Sequence, residues 1–193
     1  NGFNGTVYGA TLDTNRFGEA NSAYLFNNFD SIISSASLLN DTAYSISLWF
    51  KDNTGGSVTF KGLVSWGSSV TSRKPYTFVN NFNGNYRYAN AIIGATNYTL
   101  FSSTQSQPVN EWIHLVFVWS NNELSIYINN VKETTTLSTP LASLDSEQNM
   151  HIGGSSDGTT AGGGVIDDIY IFNIGLTASE INDLYTEGGW PSP

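Results

Sequence analysis

Three groups of residues in this chain have the types and spacing for chemistry. One is the carboxylate pair Asp167-Asp168. Cleaving a glycosidic bond with retention needs two carboxyls about 5–5.5 Å apart in one cleft. Neighbouring residues of an extended strand face opposite ways, so this pair predicts no dyad. No run of three alternating carboxylates stands elsewhere. The second group is His114 and His151. Neither has an Arg-rich strand or a Gln-x-His motif beside it, as a lyase acting on uronates requires. His114 lies in an apolar strand and reads as structural. Without cysteine, a thiol nucleophile, a zinc–thiolate centre and a disulfide scaffold are excluded. The sequence therefore predicts binding rather than catalysis.

The third group is the stretch 66–97, dense in aromatic, amide and guanidinium side chains. Aromatic rings stack on the C–H faces of sugar rings, and Arg and Asn then fix the hydroxyls. Trp66, Tyr76, Tyr86 and Tyr88 are the expected stacking surface, with Arg73 and Asn90 as hydroxyl ligands. Tyr86, Tyr88 and Asn90 are two apart in a strand and are expected on one face. The same tyrosines would equally serve a sandwich core or cross-strand pairs.

The elements that must position these groups are short strands. Tyr44–Phe50 alternates, with Ile46, Leu48 and Phe50 on one face and Ser45, Ser47 and Trp49 on the other. Residues 113–119 are apolar on both faces and read as a central strand. Leu124–Ile128 alternates and leads through Asn129-Asn130, a pair that tolerates the positive φ of a tight turn, into a strand over 131–136. Asn121-Asn122 reads as a second such turn. Further strands are expected at 23–26, 62–65, 76–80, 86–93, 150–152 and 165–172. Thr177-Ala178-Ser179-Glu180 is a capping box opening one helix over 177–187, with Leu176 and Ile181 as its staple. Ten or more strands predict two packed sheets.

The chain has 193 residues, a net charge of −9 and only 12% charged residues. Seven Lys and Arg are too few for a nonspecific nucleic-acid binder. The acidic balance also disfavours sulfated or uronate chains, with Arg73, Lys74 and Arg87 as a local basic counter-signal. No apolar run reaches the roughly 20 residues of a membrane span. The ends, Asn1-Gly2-Phe3-Asn4 and Pro191-Ser192-Pro193, read as the edges of a module: one domain over 1–189, then the start of a linker at 190–193. Asp167, on one strand with Ile169 and Ile171, is expected to face the core. A buried carboxylate needs a partner: backbone N–H groups, Arg16 or a calcium ion.

Four segments in this order resemble a known family. They are 5–27, containing Arg16-Phe17-Gly18; Tyr44–Phe50; Asn110-Glu111-Trp112-Ile113-His114-Leu115-Val116-Phe117; and Gly164 to Tyr185. Together they resemble the laminin-G-like branch of the concanavalin A-like lectin/glucanase jelly rolls. The resemblance implies an all-β fold, a two-sheet antiparallel jelly-roll sandwich with one short C-terminal helix. It implies a structural calcium ion, for which Asn21 and Asp30 would join Asp167. It also implies a non-catalytic carbohydrate-binding module of a secreted, multimodular bacterial polysaccharide-degrading protein. Such a module is expected to be monomeric, tethered to other domains, and to bind a polysaccharide or oligosaccharide. The alternative is an adhesion or protein-interaction domain at a cell surface. The region 65–97 carries no clear family pattern, and specificity is expected there.

Overall fold

The computed structural model describes residues 4–35, 43–54, 60–66, 73–82, 85–93, 98–101, 110–121, 123–133, 136–137, 149–154 and 161–189. For strand residues 73–74, 80–82, 85–87, 90–93, 98–101 and 136–137 it describes the backbone. The strands in chain order are β1 (Thr6–Tyr8), β2 (Thr11–Asp13), β3 (Ala23–Phe26), β4 (Ser31–Ser34), β5 (Ala43–Lys51), β6 (Phe60–Trp66), β7 (Arg73–Phe82), β8 (Asn85–Ile93), β9 (Tyr98–Phe101), β10 (Trp112–Ser120), β11 (Glu123–Ile128), β12 (Val131–Lys132), β13 (Thr136–Leu137), β14 (Met150–Gly153) and β15 (Gly164–Phe172). One helix, α1 (Ala178–Tyr185), follows.

The strands form two antiparallel sheets. The eight-stranded sheet has the order β1-β4-β14-β6-β7-β8-β9-β13, and the seven-stranded sheet β12-β11-β10-β5-β15-β3-β2. The chain passes repeatedly from one sheet to the other, which is the interleaving of a jelly-roll sandwich. Between the sheets, Ile46, Leu48, Phe50 and Ile126 are fully buried, as their alternation predicts, and Ile128 packs against them half-buried. The opposing sheet contributes Leu63, Val64, Trp66, Val79 and Tyr88.

The other face of β5 anchors the helix. The Ser45 hydroxyl donates to the Ile174 carbonyl and accepts the Leu176 N–H, both at 2.9 Å. Helix α1 then starts on the predicted capping box, with the Thr177 N–H donating to the Glu180 carboxylate at 2.8 Å. Leu176 and Ile181 are buried together, as a staple requires. The predicted turn at Asn129-Asn130 has φ of 47° and 65°, and Asn121 has φ 52°. Asn122 lies outside the described residues.

Two expectations are corrected. The strand expected over 131–136 is two short ones, β12 in the seven-stranded sheet and β13 in the eight-stranded sheet. Asp167 does not share the face of Ile169 and Ile171. The pairing of β15 with β5 shifts register between Asp167 and Tyr170, and Asp168 has φ 41°. This bulge inserts a residue and reverses the alternation. Asp167 therefore pairs with Trp49 on the helix side, while Ile171 pairs with Ile46 on the core side.

Candidate functional site

The outer face of the eight-stranded sheet carries a ladder of aromatic rings. Its floor follows from strand register. One cross-strand row runs Ile33, His151, Ser65, Tyr76, Ala91 and Thr99 through β4, β14, β6, β7, β8 and β9. The next row joins Gly62, Phe78, Ala89 and Phe101, and a third joins Phe60, Asn80 and Arg87. A bulge in β6 between Gly62 and Val64 sends both Leu63 and Val64 into the core, and leaves Gly62 and Ser65 on the outer face.

Tyr76, Phe78 and Ala89 form a cluster separate from the main core. The Tyr76 and Phe78 rings stack with centroids 4.7 Å apart, and Phe60 leans on Phe78 at 5.4 Å. Tyr76 and Phe78 are buried, but Phe60 is 45% exposed. Other large apolar side chains, Phe29 among them, are as open; Phe60 differs in being stacked onto a buried ring pair on a sheet face. Gly62, Phe78 and Ala89 are all buried, so Phe60 is the open part of this ladder. Ser65 and His151, in the row with Tyr76, are buried as well.

The expected stacking residues separate. Trp66 and Tyr88 are corrected: they are 0% and 1% exposed and belong to the main core, because the strand alternation turns them inward. Neither offers a face to a ligand. Tyr76 lies on the opposite, outer face. Arg73, Tyr86 and Asn90 sit on the described backbones of β7 and β8, and their side chains lie outside the described residues. Sequence reasoning chose Tyr86-x-Tyr88 as the paired rings. Tyr76-x-Phe78 had the same spacing, one strand earlier, and Phe60-x-Gly62 was the missed partner.

Of the residues expected to hold calcium, Asp167 is already engaged by a cation. One Asp167 oxygen accepts from Arg16 Nη1 at 3.1 Å, and the other accepts the Asp168 N–H at 2.9 Å. Arg16 also pairs with Asp168, so the bulge brings both carboxylates onto one buried guanidinium. Burial, aided by the Asp168 carboxylate, pushes the Asp167 carboxyl up against the pull of Arg16. A dication at Asp167 would meet that guanidinium. Asp30 accepts the Asn27 N–H at 2.8 Å, and Asn21 sits in a turn with φ 59°. Among the described residues, no three His, Asp or Glu side chains converge on one point. Of the partners left open for Asp167, Arg16 and a backbone N–H are both in place.

His114 is likewise held within the fold. It is 1% exposed, its Nε2 is 2.8 Å from the Ser47 hydroxyl, and it stacks on Trp49. Burial and the nearby Arg16 lower its pKa to about 4.

A family model described as the concanavalin A-like lectin/glucanases superfamily matches residues 26–182. The chain belongs to this superfamily. No curated protein sequence matches it. Among solved structures, this lectin/glucanase domain is similar to domain 4 of AbnA, a GH43 extracellular arabinanase from Geobacillus stearothermophilus in complex with arabinotriose. The TM-score is 0.63 at 21% identity, over 94% of this chain and 82% of that one. It is similar to the receptor binding domain of botulinum neurotoxin C/D mosaic serotype, with TM-score 0.70, 16% identity, 97% of this chain and 47% of that one. It also resembles the botulinum neurotoxin serotype D ligand binding domain in complex with N-acetylneuraminic acid, with TM-score 0.68, 16% identity and coverage of 97% and 47%. The chain thus spans under half the length of those toxin chains. At these identities the likeness establishes the jelly-roll fold. No helix among the described residues is long and apolar enough to cross a membrane.

Proposed function

We propose that this domain binds carbohydrate without cleaving it, on the outer face of the eight-stranded sheet. The carrying observation is the ring ladder Tyr76–Phe78–Phe60, which lies outside the main core and ends in an exposed phenyl ring. A sugar ring stacks on the open Phe60 ring and runs along the row that Phe60 shares with Asn80 and Arg87. Sugar ligands in two structures of the same fold, arabinotriose and N-acetylneuraminic acid, support the class of ligand. In this reading the domain is a module of a secreted, multimodular protein acting on polysaccharide.

Phe60→Ala tests the site. An aromatic anchor contributes about 1–3 kcal/mol, so retention on an immobilised glycan array should weaken roughly 5- to 150-fold while the melting curve hardly moves. Unchanged retention would place the site elsewhere. An empty glycan screen alongside capture of a protein partner would favour an adhesion domain.

A further inference from the structure

We propose that the glycan bound on this face is anionic, carrying carboxylate or sulfate groups that the arginines of β7 and β8 receive. This rests on reading the face as a carbohydrate site. The carboxylates are unevenly placed between the two sheets. The chain carries sixteen carboxylates against seven Lys and Arg. Yet the residues of the eight-stranded sheet include Lys61, Arg73, Lys74 and Arg87, and among them no Asp or Glu. The seven-stranded sheet and helix hold Asp13, Glu123, Asp167, Asp168, Glu180 and Asp183 beside Lys51 and Lys132. In so acidic a chain, random placement would put several carboxylates in the strands of either sheet.

Lys61 is not part of the receiving set, because its ammonium is buried against Asp52. That leaves Arg73 and Lys74 on β7, the strand that carries Tyr76 and Phe78, and Arg87 on the adjacent β8. Arg87 belongs to the row that begins at Phe60 and passes through Asn80. Two strand spacings separate the backbones of Phe60 and Arg87, about 10 Å. An oligosaccharide spans that distance, with one ring on the phenyl group and a charged substituent farther along. A guanidinium forks onto a carboxylate or sulfate through two parallel hydrogen bonds. A face of one sign also concentrates ligands of the other. The net charge of the whole chain, which argues against acidic glycans, is therefore a poor guide to this face.

The test is a binding series of the intact domain against polygalacturonate, its fully methyl-esterified form, a sulfated chain and a neutral arabinan. The proposal expects the free-acid chain to be held more tightly than its ester. It expects that preference to fade between about 0.01 M and 1 M salt, as the screening length falls from about 30 to about 3 Å. Arg87→Gln should weaken binding of the acid roughly ten- to a hundredfold and leave the ester unaffected. If that variant does not fold, Arg73→Gln and the salt dependence of the wild type carry the same test. Equal binding of the sulfated chain would extend the assignment to oxyanions in general; weaker binding would restrict it to carboxylates. If ester or arabinan binds as tightly as the acid, insensitive to salt, and Phe60→Ala still abolishes binding, the anionic assignment fails and the carbohydrate site stands. If no chain is held at any salt concentration, both fail.

Discussion

His114 stacks on Trp49 with ring centroids 4.9 Å apart and planes 29° from parallel. The same indole carries Tyr185 of the helix at 5.8 Å and the Arg16 guanidinium at 4.8 Å. One ring thus joins β5, β10, the segment before β3 and α1. Two polar groups in this stack are held by partners within the fold. Arg16 has the two carboxylates of the β15 bulge, and His114 has Ser47. Among the described residues, His114 Nδ1 has no hydrogen-bond partner. The neutral tautomer with its proton on Nε2 suits this arrangement, since Nδ1 is then a bare acceptor. Protonation would create a buried N–H beside a guanidinium.

That asymmetry makes the fold acid-sensitive. The folded pKa of His114 is about 4, against 6.5 for a free imidazole. Between those values the unfolded chain binds the extra proton, so stability falls as pH drops from 6.5 towards 4. The full loss from this residue is about 3 kcal/mol. Urea titrations at pH 7, 5.5 and 4.5 should show midpoints moving steadily lower. His114→Gln should be less stable at pH 7 but flatter across that window; a variant with the wild-type slope would remove His114 as the cause.

Much of this was legible in sequence. Alternation in Tyr44–Phe50 separated the residues now found in the core from Ser45, Ser47 and Trp49, and the capping box located the helix. What alternation could not reveal was the pair of bulges. The β6 bulge determines which of Gly62 to Trp66 face out, and the β15 bulge moves Asp167 from the expected core face to Arg16. A period of two cannot announce its own interruption. The candidate site was only partly legible for the same reason: Trp66 and Tyr88 were assigned the face that belongs to Tyr76 and Phe78.

The engagement of Asp167 bears on the calcium expected from the family resemblance. An ion there would displace or oppose a guanidinium whose side chain is 1% exposed. The melting temperature should therefore be the same in excess EDTA as in millimolar calcium. Asp167→Asn should lower it in both, because the buried guanidinium loses part of its compensating charge. A calcium-dependent rise in the wild type would mean that other groups hold the ion, beginning with Asp30 and Asn21. A rise that Asp167→Asn abolishes would restore Asp167 as a ligand.

The last prediction separates the cation that serves the fold from those assigned to the ligand. Lys61 and Asp52 form an ion pair with side chains 1% and 0% exposed. Asp52 is further fixed by the Thr54 N–H and hydroxyl, each at 2.8 Å. Burial lowers the Lys61 pKa, and the Asp52 carboxylate works against that. Removing one partner strands the other charge in the interior, which costs about 3–5 kcal/mol, whereas replacing both with apolar residues is often nearly neutral. Lys61→Met should thus be severely destabilised, and Lys61→Met with Asp52→Leu should recover most of the loss in a double-mutant cycle. The recovered double variant should keep the wild-type salt dependence of glycan binding, because Lys61 faces the interior. If it instead loses the preference for acidic chains as Arg87→Gln is expected to, the ion pair reaches the ligand and Lys61 belongs to the site.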